Sequence, residues 1–262
     1  NDLKKEYFDN QNVSITLWQL HNYLKTNNLS NKKEISNLVC QHRANSFALQ
    51  FKASLSIGCF ETDIFFLKDK AISTHDIQSN TNLVFENFLK SDYQKNTVWL
   101  DSKNINKPQN CEYANNWLKK NYDKFESLLV EMPISSIESI DNNRWLECIE
   151  EINRLENVEV AYYLDTNLAK KCSEDISSNL KQSTNCKDFY SDTFSVLEKT
   201  KIKSITFDHK IGKIAVMNNE KLNNYKWHTW HVDSVKEFKY LKNRKNTGII
   251  LLKNHSNLEN YN

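Results

Sequence analysis

A chain of 262 residues with 39% hydrophobic and 11% aromatic side chains is large enough to bury the core of one α/β barrel, a fold that uses about 250 residues as a single domain. Its 35 basic residues nearly balance 33 acidic ones, and the lysine pairs (Lys4-Lys5, Lys32-Lys33, Lys119-Lys120) lie apart and near acids, which argues against nucleic acid as a partner. The longest apolar runs, Leu128–Val130 and Ile249–Leu252, are too short to span a bilayer. With Gly58, Gly212 and Gly248 as the only glycines, a phosphate-cradling loop, a dinucleotide fingerprint and a G-x-S-x-G elbow are all excluded.

In chain order, residues 1–31 read as a polar lead-in with one amphipathic helix, on which Leu17, Leu20, His21 and Leu24 recur at helical spacing. Residues 32–262 read as one domain. Strands are predicted at Ile35–Gln41, Cys59–Leu67, Thr97–Ser102, Ser127–Met132, Glu159–Leu164, Ser204–Asp208, Trp227–Val232 and Gly248–Leu252. Helical patterns at Asn45–Leu55, Asn82–Leu89, Tyr113–Phe125, Asp141–Leu155 and Ser234–Leu241 fall between them. Asp233 interrupts the seventh run, so that strand is expected to stop at Val232. Eight strands alternating with helices predict a (β/α)₈ TIM barrel, although a doubly wound open sheet gives a similar string. The stretch Ala169–Ser191 is longer and more polar than the other connections, and is expected to be an insertion or an active-site loop.

Six cysteines contain no C-x-x-C pair, which argues against zinc-finger and thioredoxin-type roles. Cys40 and Cys59 fall in predicted strands and read as small buried apolar groups. Cys172 and Cys186 flank a polar loop and are placed to pair if the protein is exported. The chain opens on Asn1 rather than Met. Together with the cysteines, this points to an exported or envelope-associated soluble domain.

Functional side chains of a βα-barrel gather at the C-terminal ends of its strands. Glu61 and Asp63 lie two apart on one strand and share a face, which inside a barrel is the lumen. Two carboxylates there repel each other unless a positive charge sits between them, and a hard divalent cation, Mg²⁺ or Ca²⁺, suits oxygen ligands. Asp101 on the next strand offers a third oxygen, and Lys103 shares its face and can meet a phosphate. His42 and His75 each follow a strand, and histidine as a residue titrates near neutral pH, so the two suit a general base and a general acid. Zinc held by His42, His75 and one carboxylate is the softer alternative.

His42-Arg43, then Glu61-Thr62-Asp63, then Leu67-Lys68-Asp69 leading to His75-Asp76, resembles the signature of the glycerophosphodiester phosphodiesterase superfamily. Asp101-Ser102-Lys103 is similar to its E-x-K on the third strand. Trp230-His231-Val232-Asp233 with Thr247-Gly248-Ile249-Ile250 resembles its W-T-V-N…G-I-I ending. The likeness runs from about Val39 to Leu252. It implies a barrel of the phospholipase C-like phosphodiesterase type, one cation on Glu61, Asp63 and Asp101, and acid–base work by His42 and His75. It also implies substrate contacts from Arg43, Lys103 and Trp230. Ala44 stands where the family has glycine, and the family's P-E-N-T segment is missing. The compact spacing from His42 to Glu61, with Asn45 three after the histidine, resembles the sphingomyelinase D-like branch.

The expected reaction is cleavage of a phosphodiester: a glycerophosphodiester, a phospholipid headgroup or a related polymer. If the substrate's own hydroxyl attacks, the product is a cyclic phosphate. Glu131 is expected to support the metal site or to bond Lys103. Two other readings stay open: a silent barrel that binds a phosphorylated ligand, and a glycosidase using Glu131 with Asp165. His228 and His231 flank Trp230 in what reads as a packed aromatic strand end, and His209 after Asp208 is ambiguous.

Overall fold

The structure is a computed structural model that describes residues 38–56, 58–76, 84–89, 95–232 and 234–252. The expected lead-in helix at 1–31 and the residue Asp233 lie outside the described residues. So does part of the expected helix at 82–89, of which Glu86–Leu89 (α2) is helical.

Eight parallel strands form the barrel: β1 (Leu38–Gln41), β2 (Cys59–Phe66), β4 (Thr97–Ser102), β5 (Ser127–Met132), β6 (Val158–Tyr163), β7 (Ser204–Asp208), β8 (Lys226–Trp230) and β9 (Thr247–Leu252). β1 pairs with β9 over four residues and with β2 at Gln41 and Phe60, so the sheet closes and the open-sheet alternative falls. One further strand, β3 (Ala71–Ser73), folds back antiparallel on the end of β2. The helices around the barrel include α1 (Phe47–Ser56), α3 (Pro108–Asn121) and α4 (Asn143–Asn153), followed by α5 (Thr166–Ser177) and α6 (Thr184–Thr200). They end with α7 (His209–Met217), α8 (Glu220–Asn223) and α9 (Val235–Asn243). Among the described residues, no helix is long and apolar enough to cross a membrane.

Strand alternation sorts the core into two layers. Phe60, Ile64, Val98, Leu100, Leu128, Val130, Ile205 and Phe207 face outward and pack under the helices. Leu38, Cys40, Cys59, Trp99, Leu129, Ala161, Ile249 and Leu251 fill the lumen. Truncating a fully buried lumen residue such as Trp99 costs about 3–5 kcal/mol.

Below this layer a polar cluster plugs the barrel. The Ile249 N–H donates to His228 Nδ1 at 3.0 Å, which leaves His228 Nε2 as the donor to Glu159 at 3.0 Å. Lys226 binds the same carboxylate at 2.8 Å. Burial alone would raise the Glu159 carboxyl, but His228 and Lys226 hold it at about 2. The His228 ring fits only because position 248 is glycine: a Cβ there would lie 2.3 Å from His228 Cε1.

Ala169–Ser191 is not a loop. It contributes most of α5 and the first half of α6, two helices that pack as a hairpin. Asp165 caps α5 through bonds from the Asn167 and Leu168 N–H groups at 2.8 and 2.9 Å. The buried face of α5 consists of Ala169, Cys172 and Ser173, so its inner stripe is too small and polar to register as hydrophobic periodicity.

All six cysteines are paired. Cys172–Cys186 links α5 to α6 as anticipated, and Cys111–Cys148 links α3 to α4. Cys40 and Cys59 are not mere apolar filler. They form a disulfide inside the lumen, with Cα atoms 4.7 Å apart, at the seam where β1 meets β2.

Candidate active site

Among the described residues, His42, Arg43, Glu61, Asp63, His75, Asp101, Lys103, Glu131 and Trp230 line one cavity of about 280 Å³ at the C-terminal mouth of the barrel. Every site residue anticipated from the sequence therefore lies in one place. Trp99, Pro133, Ile134, Tyr163, His231 and Leu251 complete the wall. Asp165 is outside it, occupied as a helix cap, so the carboxylate pair of the glycosidase reading is not assembled. His209 is fully buried at the start of α7 and does not line the cavity.

Parallel register explains the clustering. Asp63 pairs with Asp101 across β2 and β4, and Asp101 pairs with Glu131 across β4 and β5. Three acids thus stand side by side on the lumen face, with Glu61 one step below Asp63. Beyond β1, Arg43 takes a left-handed backbone (φ 56°), and its N–H reaches Glu61 Oε2 at 2.5 Å. Asn45 locks the neighbouring carboxylate. Its Oδ1 accepts the Asp63 N–H at 2.9 Å and the Thr62 hydroxyl at 3.1 Å, while its Nδ2 donates to Asp63 Oδ2. The β2–β3 hairpin carries His75 back toward the mouth, where the Thr74 N–H bonds the Asp63 carbonyl at 3.0 Å.

The electrostatics are those of a site short of positive charge. Burial, and then the nearby Asp63 and Asp101, push the Glu61 carboxyl well above the usual range. Burial also raises Asp101 against the pull of Lys103, and burial with Asp101 raises Glu131. Asp63 moves the other way, because the Lys103 ammonium and the Asn45 bond outweigh its burial. Lys103 Nζ lies 2.6 Å from Asp63 Oδ1 and also bonds Asp101, and these two acids hold its ammonium above the ordinary range despite burial. Burial, Arg43 and His231 lower His42 to about 4, so its ring is neutral near pH 7 and free to accept a proton.

Glu61, Asp63 and Asp101 each offer an oxygen within 4.8 Å of the others. Ligands on one ion lie at most about 4–5 Å apart for Mg²⁺ or Ca²⁺, so this set fits a hard cation.

His231 was read from the sequence as part of a packed aromatic strand end. That holds for His228, which is fully buried beside Trp99, but His231 stands in the cavity wall. β8 ends at Trp230 rather than Val232, because His231 adopts a left-handed backbone (φ 54°) that no strand continues through. Two other contributors carry no assigned role in the sequence. Tyr163 follows Glu159 and Ala161 on the inward face of β6, and its ring packs against Trp230 at 5.3 Å. Asn45 had been noted only for its spacing.

The fold and site define a closed (β/α)₈ barrel with a histidine- and carboxylate-lined pocket at the C-terminal ends of its strands. No family model and no curated protein matches the sequence. Solved structures do match. One, from Galdieria sulphuraria and provisionally named a glycerophosphodiester phosphodiesterase, superposes with a TM-score of 0.52 at 11% identity, over 88% of this chain and 99% of that one. A phosphodiesterase from Oleispira antarctica, in complex with the product sn-glycerol-3-phosphate, gives 0.48 at 14% identity over 81% and 92% of the two chains. A glycerophosphodiester phosphodiesterase from Parabacteroides distasonis gives 0.45 at 15% identity over 82% and 91%. At these identities the likeness is one of fold, and the Galdieria superposition carries it. The chain shares the barrel of that protein, in agreement with the resemblance read from its motifs.

Proposed function

We propose that this barrel is a cation-dependent phosphodiesterase acting on a small-molecule or lipid-headgroup phosphodiester. The observation that carries the reading is the meeting, in one cavity, of a neutral histidine, a three-carboxylate cation set and a lysine. Glu61, Asp63 and Asp101 would hold the ion, with Asn45 and the Arg43 N–H fixing two of them. When bound, the ion offsets charge on the non-bridging phosphate oxygens. Lys103 and Arg43 stand beside it to meet the same oxygens. Glu131 stands next to Asp101, and burial together with Asp101 pushes its carboxyl well above the usual range.

His42 takes a proton from the attacking hydroxyl, and a second histidine returns one to the departing oxygen. His75 is the sequence's candidate for that second role. Trp230 and Tyr163 form the apolar wall for the organic part of the substrate. If water attacks, the product is a phosphomonoester. If a neighbouring substrate hydroxyl attacks, as the sphingomyelinase D-like spacing implies, it is a cyclic phosphate. Three disulfides, all deeply buried, support a life in an oxidising compartment, in line with export.

Phosphorus NMR of the protein with glycerophosphodiesters, lysophospholipids and sphingomyelin-type headgroups, in Mg²⁺, Ca²⁺ or EDTA, tests this. A new resonance that EDTA suppresses is expected, and its shift separates the two products. Turnover indifferent to EDTA overturns the cation dependence, and none with any substrate and either ion overturns the reading and moves weight to a binding protein.

A further inference from the structure

His231 and Asp208 form a pair that the expected two-histidine scheme does not use. Asp208 is the last residue of β7 and is nearly fully buried. Its two oxygens have separate tasks. Oδ1 caps α7 by accepting the Lys210 and Ile211 N–H groups at 3.0 and 3.3 Å. Oδ2 lies 2.7 Å from His231 Nδ1. A carboxylate can only accept, so His231 Nδ1 carries the proton, and Nε2 is the ring's remaining nitrogen for a group in the cavity. The left-handed backbone at His231 is costly for a residue other than glycine, and it swings this ring into the cavity wall.

We propose that His231, held by Asp208, is the proton donor to the leaving oxygen, an inference that rests on the phosphodiesterase reading. Three observations separate it from His75. Both rings reach solvent, His75 54% and His231 40% exposed, but Asp76 beside His75 is 75% exposed at 3.3 Å, whereas the Asp208 side chain is 6% exposed and bonded at 2.7 Å. A donor must be oriented, and a buried carboxylate orients a ring far better than a solvated one. His231 also stands 6.4 Å from His42, ring centroid to centroid and nearly edge-on, so the two rings can serve one phosphoryl group from different sides. Finally, His231 follows Trp230, whose ring packs against Tyr163 in the cavity wall, the aromatic side on which an organic leaving part would sit.

The step balances. As the nucleophile's oxygen bonds to phosphorus, its proton passes to His42. His231 enters the step as the imidazolium, with protons on both Nδ1 and Nε2, and as the bond to the leaving oxygen breaks the Nε2 proton passes to that oxygen. His231 ends neutral and His42 protonated, and exchange with water restores both. Asp208 stays ionised and acts as a positioning residue.

The test compares two diesters that share one headgroup, one with an alkyl alcohol and one with p-nitrophenol as leaving group. His231→Asn is the variant of choice, because asparagine tolerates the left-handed backbone and keeps the fold. It should slow cleavage of the alkyl diester by about 10²–10⁴-fold and that of the nitrophenyl diester, whose leaving group needs no proton, by less than about tenfold. Asp208→Asn keeps the cap acceptor but offers Nδ1 a donor, and should show the same dependence on leaving group with a smaller loss. Equal losses on both diesters overturn the assignment. So does the leaving-group dependence appearing in His75→Ala with none in His231→Asn. A wild-type protein that cleaves neither diester with Mg²⁺ or Ca²⁺ overturns the phosphodiesterase reading itself, a different result.

Discussion

Asn45 shows how much of the proposed cation site rests on one uncharged side chain. It spends both ends of its amide on the Asp63 peptide unit and carboxylate, so Asp63 cannot turn away from the ion position. Asn45→Ala should weaken Ca²⁺ or Mn²⁺ binding about 10–100-fold by titration calorimetry, with all three carboxylates still present. Unchanged affinity would mean that Asp63 is held without it. Glu61 makes the converse point. Its folded carboxyl titrates above its unfolded value, so the unfolded chain releases that proton first as pH rises. In EDTA the protein should therefore lose stability as pH climbs from about 4.5 through the raised folded value, and saturating Ca²⁺ should abolish that loss. Glu61→Gln removes the buried charge and should raise the melting temperature in EDTA while cutting the shift that Ca²⁺ produces. A variant that melts lower in EDTA and keeps the full Ca²⁺ shift would contradict this account.

At the scale of elements, the α5–α6 hairpin owes its order to features other than a broad apolar stripe. Asp165 and Ser183 cap its two helices, and the Ser173 hydroxyl accepts the Ala215 N–H of α7 at 3.1 Å. The Cys172–Cys186 bond closes a 14-residue separation between them. Removing it should destabilise the protein by about 2–4 kcal/mol, or roughly 5–15 °C in melting temperature. Because neither helix supplies a cavity residue, kcat on any substrate should hold in Cys172→Ala/Cys186→Ala below that temperature. A kcat that collapses while the melting temperature stays put would mean the hairpin reaches the site.

For the whole molecule, the barrel was legible in the sequence because each strand carries a dense apolar run between longer amphipathic segments. Three strands, Thr97–Ser102, Ser127–Met132 and Ser204–Asp208, match their predicted bounds. Closure was not legible, since it depends on a single pairing between β1 and β2 that no local pattern encodes. The lumen carboxylates could be found because Glu61-x-Asp63 and Asp101-x-Lys103 share the two-residue period of a strand. Asn45 and Tyr163 were not, because what matters in them is a partner brought close only by folding. Cys40–Cys59 escaped for the same reason. The polar plug beneath the cavity, with Trp99 above Glu159 and His228, leaves the barrel a dead end. A molecule that enters must back out the way it came. A long phosphodiester polymer cannot be threaded through and clipped along its length, and can offer only an end or a flipped-out bend. Under the proposed activity, the two halves of a cleaved substrate would leave through one doorway, so the half bound deeper, against the carboxylates, would be the last to go and the natural inhibitor of the next turnover.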